Sequence, residues 1–161
     1  VQYGMKSATH FDIAEALPAA RAAAANAKLP NLARAAALLV VGQYGTRDDV
    51  PLAEALFGGL EVDGFFLEYD DARSGGFEPL RFVPPGKRVV LGLVTSKRPE
   101  LERKDDLKRR IEQASQHVPL EQLALSPQCG FSSTVEGNAL TRDEQIAKLA
   151  LVVETAEEVW G

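Results

Sequence analysis

The chain has a single cysteine, Cys129, in 161 residues. One thiol excludes an intrachain disulfide and fits a reducing, cytoplasmic setting. Long apolar runs are also missing. The longest candidate, Ala35 to Gly42, falls far short of the roughly 20 residues that a membrane span needs, so no membrane partner is expected. No signal peptide is visible, and because the chain starts at Val1 rather than Met, an absent leading segment is expected. Excess positive charge is lacking too. The net charge of −5 argues against nucleic acid as a partner, because phosphate affinity comes from clustered Lys and Arg. Basic residues do gather between Lys97 and Arg110, but Glu100, Glu102, Asp105 and Asp106 interleave them, as on a solvated helix face.

What is present is ordinary for a soluble globular chain: 45% hydrophobic and 25% charged residues. Residues 1–50 read as an Ala-rich helical segment. A helix is predicted from about Asp12, with Pro18 as a break or as a first-turn residue of a second helix. Asn31 suits an N-cap, and Leu38 to Val41 suit a short strand. Alanine favours helix but buries little apolar surface, so packing here should be thin.

Residues 51–161 carry a sharper pattern. "VPLAEALFGGL" is a short helix closed by Gly58 and Gly59. "EVDGFFLEY" and "KRVVLGLV" read as strands, the second a continuous apolar run of the kind buried on both faces. A long polar loop with a short element inside it joins them. "PELERKDDLKRRIEQASQHV" reads as an amphipathic helix with Leu101, Leu107, Ile111 and Ala114 near one face. A third strand spans Leu123 to Ser126, and "FSSTVEGNAL" is a loop. The final helix begins at a capping box, Thr141 with Glu144. Its apolar stripe is read as Ile146, Leu149, Val152, Val153, Ala156 and Trp160.

Strand–helix alternation with strands buried on both faces implies an α/β fold with parallel βα repeats. A doubly wound sheet and a (β/α)8 barrel both suit it. Eight units take about 250 residues, so a barrel made from this chain alone would be partial. In a parallel sheet the strand C-termini share one edge, where such folds place their sites. Glu68 ends the first strand, Thr95, Ser96 and Lys97 follow the second, and Cys129 ends the third. Taken singly, Cys129 also reads as a small buried residue, Glu68 as a solvated rim group and Lys97 as a surface charge.

The stretches "FFLEYDDARSG", "VVLGLVTSKRPELE", "QLALSPQCGF" and "AKLALVVETAEEVWG" resemble the C-terminal end of the barrel of cobalamin-independent methionine synthase and its shorter relatives. The resemblance covers residues from about Pro51 to Gly161. It implies the C-terminal part of a TIM barrel and zinc-dependent methyl or alkyl transfer to a thiol, as in methionine biosynthesis. It further implies that Glu68 and Cys129 are zinc ligands. Arg73 and Ser74 would support the site, and Lys97 would meet an anionic substrate group. The thiol and donor would be homocysteine and a methylated folate, or another thiol such as coenzyme M.

Two departures stand out. The family's His-x-Cys ligand pair has no counterpart upstream of Glu68; His10 is followed two residues later by Asp12. The second strand ends "GLVTSK" where methionine synthases place Asp-x-His-Ser. The chain is therefore expected to need a completing partner chain or to form a homo-oligomer. Two other readings remain: a non-catalytic partial barrel that self-associates, and a lyase using Lys97 as a Schiff base in a desolvated setting.

Overall fold

The computed structural model describes residues 13–26, 28–30, 33–34, 50–70, 74–128, 130–131 and 139–161. They belong to two units, one formed by the chain up to Glu61 with Phe82–Pro84, the other by Val62–Arg81 and Pro85–Gly161. The strand expected at Leu38 to Val41, the loop at 132–138 and His10 lie outside the described residues.

In the first unit, helix α1 spans Ile13–Ala25 and helix α2 spans Val50–Gly59. Pro18 neither breaks α1 nor starts a new helix; it lies inside one continuous helix. Proline removes one backbone donor there, and the alanine-rich run around it sustains the remaining ladder. Arg34 ties the two helices together. Its Nε donates to the Ala24 carbonyl at 3.1 Å and its NH1 to the Gly59 carbonyl at 3.0 Å. One buried guanidinium thus serves the C-terminal carbonyls of two helices, where the macrodipole favours positive charge. Gly59 suits this contact, since a Cβ there would meet the Arg34 NH2 at 3.0 Å and make the guanidinium shift.

The second unit holds strand β1 (Gly64–Glu68), strand β2 (Arg88–Val94), helix α3 (Lys104–Ser115), strand β3 (Leu123–Pro127) and helix α4 (Arg142–Trp160). Short 3-10 turns occupy Glu78–Phe82 and Leu120–Gln122. The three strands form one sheet in the order β1-β2-β3, and both pairs are parallel. The α/β class with a parallel sheet is therefore the observed one. The register sets Phe65 beside Val89 and Val89 beside Leu123, with Leu67, Leu91 and Leu125 in a second row on that face. Phe65, Val89, Leu91 and Leu123 are buried, as are Leu107, Ile111 and Ala114 of α3. Leu101, expected on the same helical face, precedes the helix and is exposed.

The other sheet face carries Phe66, Val90 and Ala124, then Glu68, Gly92 and Ser126. Burial of β1 on both faces does not hold, because Phe66 is 80% exposed. β2 is the strand that is covered, with Val89, Leu91, Leu93 and Val94 all buried. It is the central strand, so its neighbours shield it.

Helix α4 starts as expected. The Thr141 hydroxyl accepts from the Glu144 amide, and the Glu144 carboxylate accepts from the Thr141 amide at 2.7 Å. Acceptance from the Thr141 backbone N–H, then from its hydroxyl, holds the Glu144 carboxyl below its ordinary range. Its apolar stripe is a different matter. Ile146, Leu149 and Val153 are exposed, whereas Lys148 and Thr155 are fully buried. The inward face bears polar groups because each finds a partner. Lys148 Nζ donates to the Glu100 carbonyl at 2.7 Å and to the Glu102 carboxylate at 3.1 Å. The Thr155 hydroxyl donates to the Leu151 carbonyl at 2.7 Å. At the far end of the helix, Trp160 Nε1 donates to the Leu120 carbonyl at 3.0 Å. Among the described residues, no helix is long and apolar enough to cross a membrane.

Removing one member of a buried ion pair strands the other and costs about 3 kcal/mol or more. Lys148→Met should lower the unfolding free energy by about that amount in urea denaturation, and adding Glu102→Gln should restore part of it. A loss no larger than that of an exposed-lysine control would show that the pair does not hold α4.

Candidate functional site

Three parallel strands deliver their C-termini to one edge, so the residues that follow them share a rim. Glu68 closes β1, exposed, on the same row as Gly92 of β2 and Ser126 of β3. Gly92, buried, lets the backbones of that row approach closely. A Cβ there would lie 3.2 Å from the Leu67 carbonyl oxygen, 3.5 Å from Glu68 Cα and 3.6 Å from Gln128 Cα. The absent side chain therefore leaves a bare backbone position between the ends of β1 and β3.

Tyr69 locks the segment behind Glu68. Its amide donates to the Gly92 carbonyl at 3.0 Å, and its own carbonyl accepts from Arg110 NH2 at 3.2 Å. Its ring packs on Phe77 with centroids 4.6 Å apart, and the Arg110 guanidinium lies over the Phe77 ring at 4.8 Å. Burial, with the Glu78 carboxylate adding to it and the Arg110 charge opposing it, pushes the Tyr69 phenol up to about 12.

A buried network organises the other two strand ends. The Thr95 amide donates to Glu102 Oε1 at 2.8 Å, and Glu102 is the carboxylate that Lys148 pairs with. The Thr95 hydroxyl donates to Gln128 Oε1 at 3.1 Å, and the Ser96 amide donates to the same oxygen at 3.4 Å. The Gln128 amide N–H continues the ladder to the Val94 carbonyl at 2.9 Å. Helix α4 is thereby linked through Glu102 and Thr95 to the end of β3. Gly130, at φ +106°, turns the chain there.

Of the residues singled out in the sequence, Glu68, Ser74 and Lys97 are described, with Ser74 half-buried and Lys97 exposed. Glu68 and Lys97 share the strand-end rim. Arg73 and Cys129 lie outside the described residues. The exposure of Lys97 removes the desolvated setting that a Schiff-base lysine needs. Among the described residues, no three His, Cys, Asp or Glu side chains are grouped to hold a metal ion. The sequence reading missed Glu102, Gln128 and Lys148. A lysine in a helix is most often solvated; the available signal was that Lys148 stands four before Val152 and seven before Thr155, on one helical face.

Residues 51–158 match the profile of the cobalamin-independent synthase catalytic domain. Two Bacillus subtilis proteins, both named as uncharacterized, are similar: YxjG is 65% identical over 109 residues and YxjH 57% identical over 110. These stretches cover 67% and 68% of this chain and 29% of each relative. The crystal structure of a candidate vitamin-B12-independent methionine synthase from Listeria monocytogenes superposes with a TM-score of 0.54 at 32% identity. That match covers 88% of this chain and 46% of the Listeria chain. The chain thus spans under a third of the length of these Bacillus relatives.

The Tyr69 anchor is measurable by absorbance titration. Tyr69 should ionise only near pH 12, and Tyr69→Phe should delete that late step. The folded value lies above the ordinary 10.0, so the native state favours the neutral phenol and stability should fall as pH rises past 10. A folded-state titration in which Tyr69→Phe removes no late step would contradict the buried anchor.

Proposed function

Because the chain belongs to the cobalamin-independent synthase catalytic-domain family, we propose that it forms the last βα units of a (β/α)8 barrel that transfers a methyl or alkyl group to a thiol. The observation that carries this reading is the shared rim: Glu68, the Thr95–Lys97 turn and Gln128 follow three adjacent parallel strands, with bare Gly92 between them. Barrel enzymes place their chemistry at that strand edge.

Within this reading Glu68 and Cys129 are two ligands of a zinc ion, which when bound would hold the substrate sulfur as thiolate. A carboxylate and a thiolate suit zinc, but a zinc centre takes three or four protein ligands. Glu68 and Cys129 do not make such a centre by themselves. Completing ligands of the His-x-Cys kind would come from another polypeptide segment. The chain's own part is to present Glu68 on a strand end braced by Tyr69, to support the loop after it through Arg73 and Ser74, and to set Lys97 at the mouth toward an anionic substrate. Homocysteine with a methylated folate, or another small thiol and its alkyl donor, suits this arrangement, and a reducing cytoplasm suits its lone thiol.

Complementation tests the proposal. Bacillus subtilis YxjG lacking its matching 109-residue stretch would be co-purified with this chain and its metal content measured. Stoichiometric zinc is expected, with affinity falling by roughly tenfold or more in Glu68→Gln or Cys129→Ser, since even outer-shell changes cost that much. Zinc retained by both variants would refute the ligand assignment.

The exposure of Phe66 on the open sheet face, and of Ile146, Leu149 and Val153 on α4, favours a second reading in which the isolated chain self-associates. Apolar area of this kind invites a partner. Light scattering of the chain alone should show a dimer or larger species at micromolar concentration. A stable monomer would count against self-association.

A further inference from the structure

Among the described residues, two buried side-chain atoms lack a hydrogen-bond partner: Ser96 Oγ and Gln128 Nε2. Ser96 is fully buried and Gln128 is 7% exposed. Their side chains are neighbours, because the Ser96 amide donates to Gln128 Oε1. Both orphans therefore belong to neighbouring residues at the paired ends of β2 and β3. Native proteins keep few such groups, and each one needs an explanation.

The orientation of the Gln128 amide is dictated by its surroundings. Oε1 accepts from the Thr95 hydroxyl and from the Ser96 amide. Exchanging oxygen and nitrogen would set an NH2 group against a backbone N–H, donor against donor. Nε2 is thus the atom left over, with two N–H groups and no acceptor. The Thr95 hydroxyl does not serve it: it donates to Gln128 Oε1 and accepts from the Lys97 amide at 3.3 Å, and no bond from Nε2 reaches it. The one carboxylate bound to this turn, Glu102, is paired by Lys148 at 3.1 Å. The remaining chemistry is donor-rich, with the exposed Lys97 adding a positive charge next in sequence.

The geometry points to a binding point for an oxyanion, a carboxylate or a sulfonate, formed by the Ser96 hydroxyl and the Gln128 amide at the ends of β2 and β3. It rests on the barrel reading above and extends it by naming an acidic group on the ligand. On that reading β2 and β3 are the last two strands, whose loops bind anions in many barrels. The path from Lys148 through Glu102 and Thr95 holds the Gln128 amide in place before any ligand arrives, so its ordering is not charged to binding.

The test is NMR of the full 15N-labelled chain, following the Gln128 side-chain NH2 signals, assigned by their loss in Gln128→Glu. The probes are 2-mercaptoethanesulfonate, L-homocysteine, propane-1-sulfonate and 1-propanethiol. Saturable shifts are expected with the three acidic probes and none with 1-propanethiol. Ser96→Ala should weaken binding about tenfold yet melt no lower than the parent, because the deleted hydroxyl has no partner to lose. No saturable shift with any acidic probe, or an equal response to 1-propanethiol, would overturn the proposal. So would a Ser96→Ala variant that melts lower and binds unchanged, which marks the hydroxyl as structural. If propane-1-sulfonate binds as tightly as its thiol analogue, the oxyanion point stands without help from the thiol, and the thiol reading is decided separately by the zinc measurement above.

Discussion

The ammonium of Lys148 is fully buried, and its pairing with Glu102 sets much of the arrangement around it. A buried charge without a partner is costly, so helix α4 settles where Lys148 meets both the Glu102 carboxylate and the Glu100 carbonyl. That choice turns Thr155 inward and Ile146, Leu149 and Val153 outward. It also fixes Glu102, which accepts from the Thr95 amide and so shapes the turn after β2. Through Thr95 the same constraint reaches Gln128 at the end of β3.

The rim has a rigid side and an open one. On the rigid side, Lys148, Glu102, Thr95 and Gln128 form a continuous polar network beneath the ends of β2 and β3. On the open side, the β1 end presents Glu68 to solvent, steadied by the backbone and ring contacts of Tyr69. Gly92 lies between them, where a side chain would crowd the Leu67 carbonyl. Sites work best when their groups are carried on rigid elements and supported from behind, and this edge has that construction. The first unit has its own buried cation, Arg34, which joins two helix ends.

Most of the second unit was legible from residue pattern. The strands of β1, β2 and β3 and the two long helices were predicted within a few residues, because their apolar period or continuous apolar runs are strong. The capping box at Thr141 and Glu144 is a local interaction and was read from spacing alone. The motifs around Glu68 and "SPQCGF" led to the family that the profile match shows. Other elements were not legible. Pro18 looked like a break because its lost hydrogen bond is local, while the helix that tolerates it is not. The α4 stripe was misassigned because counting apolar residues ignores what a lysine or threonine can find to bind.

Sequence by itself determined the local things: which segments form strands and helices, where the last helix starts, and which residue types end each strand. These follow from side-chain periodicity and short-range hydrogen bonding, which act within a few residues. Tertiary structure decided which face of α4 is buried, that Phe66 is exposed, and that Ser96, Gln128, Glu102 and Lys148 meet. Glu102 and Lys148 are separated by 46 residues, and Thr95 and Gln128 by 33. No local pattern encodes such a meeting, because whether a polar side chain is buried depends on the partner that folding brings to it.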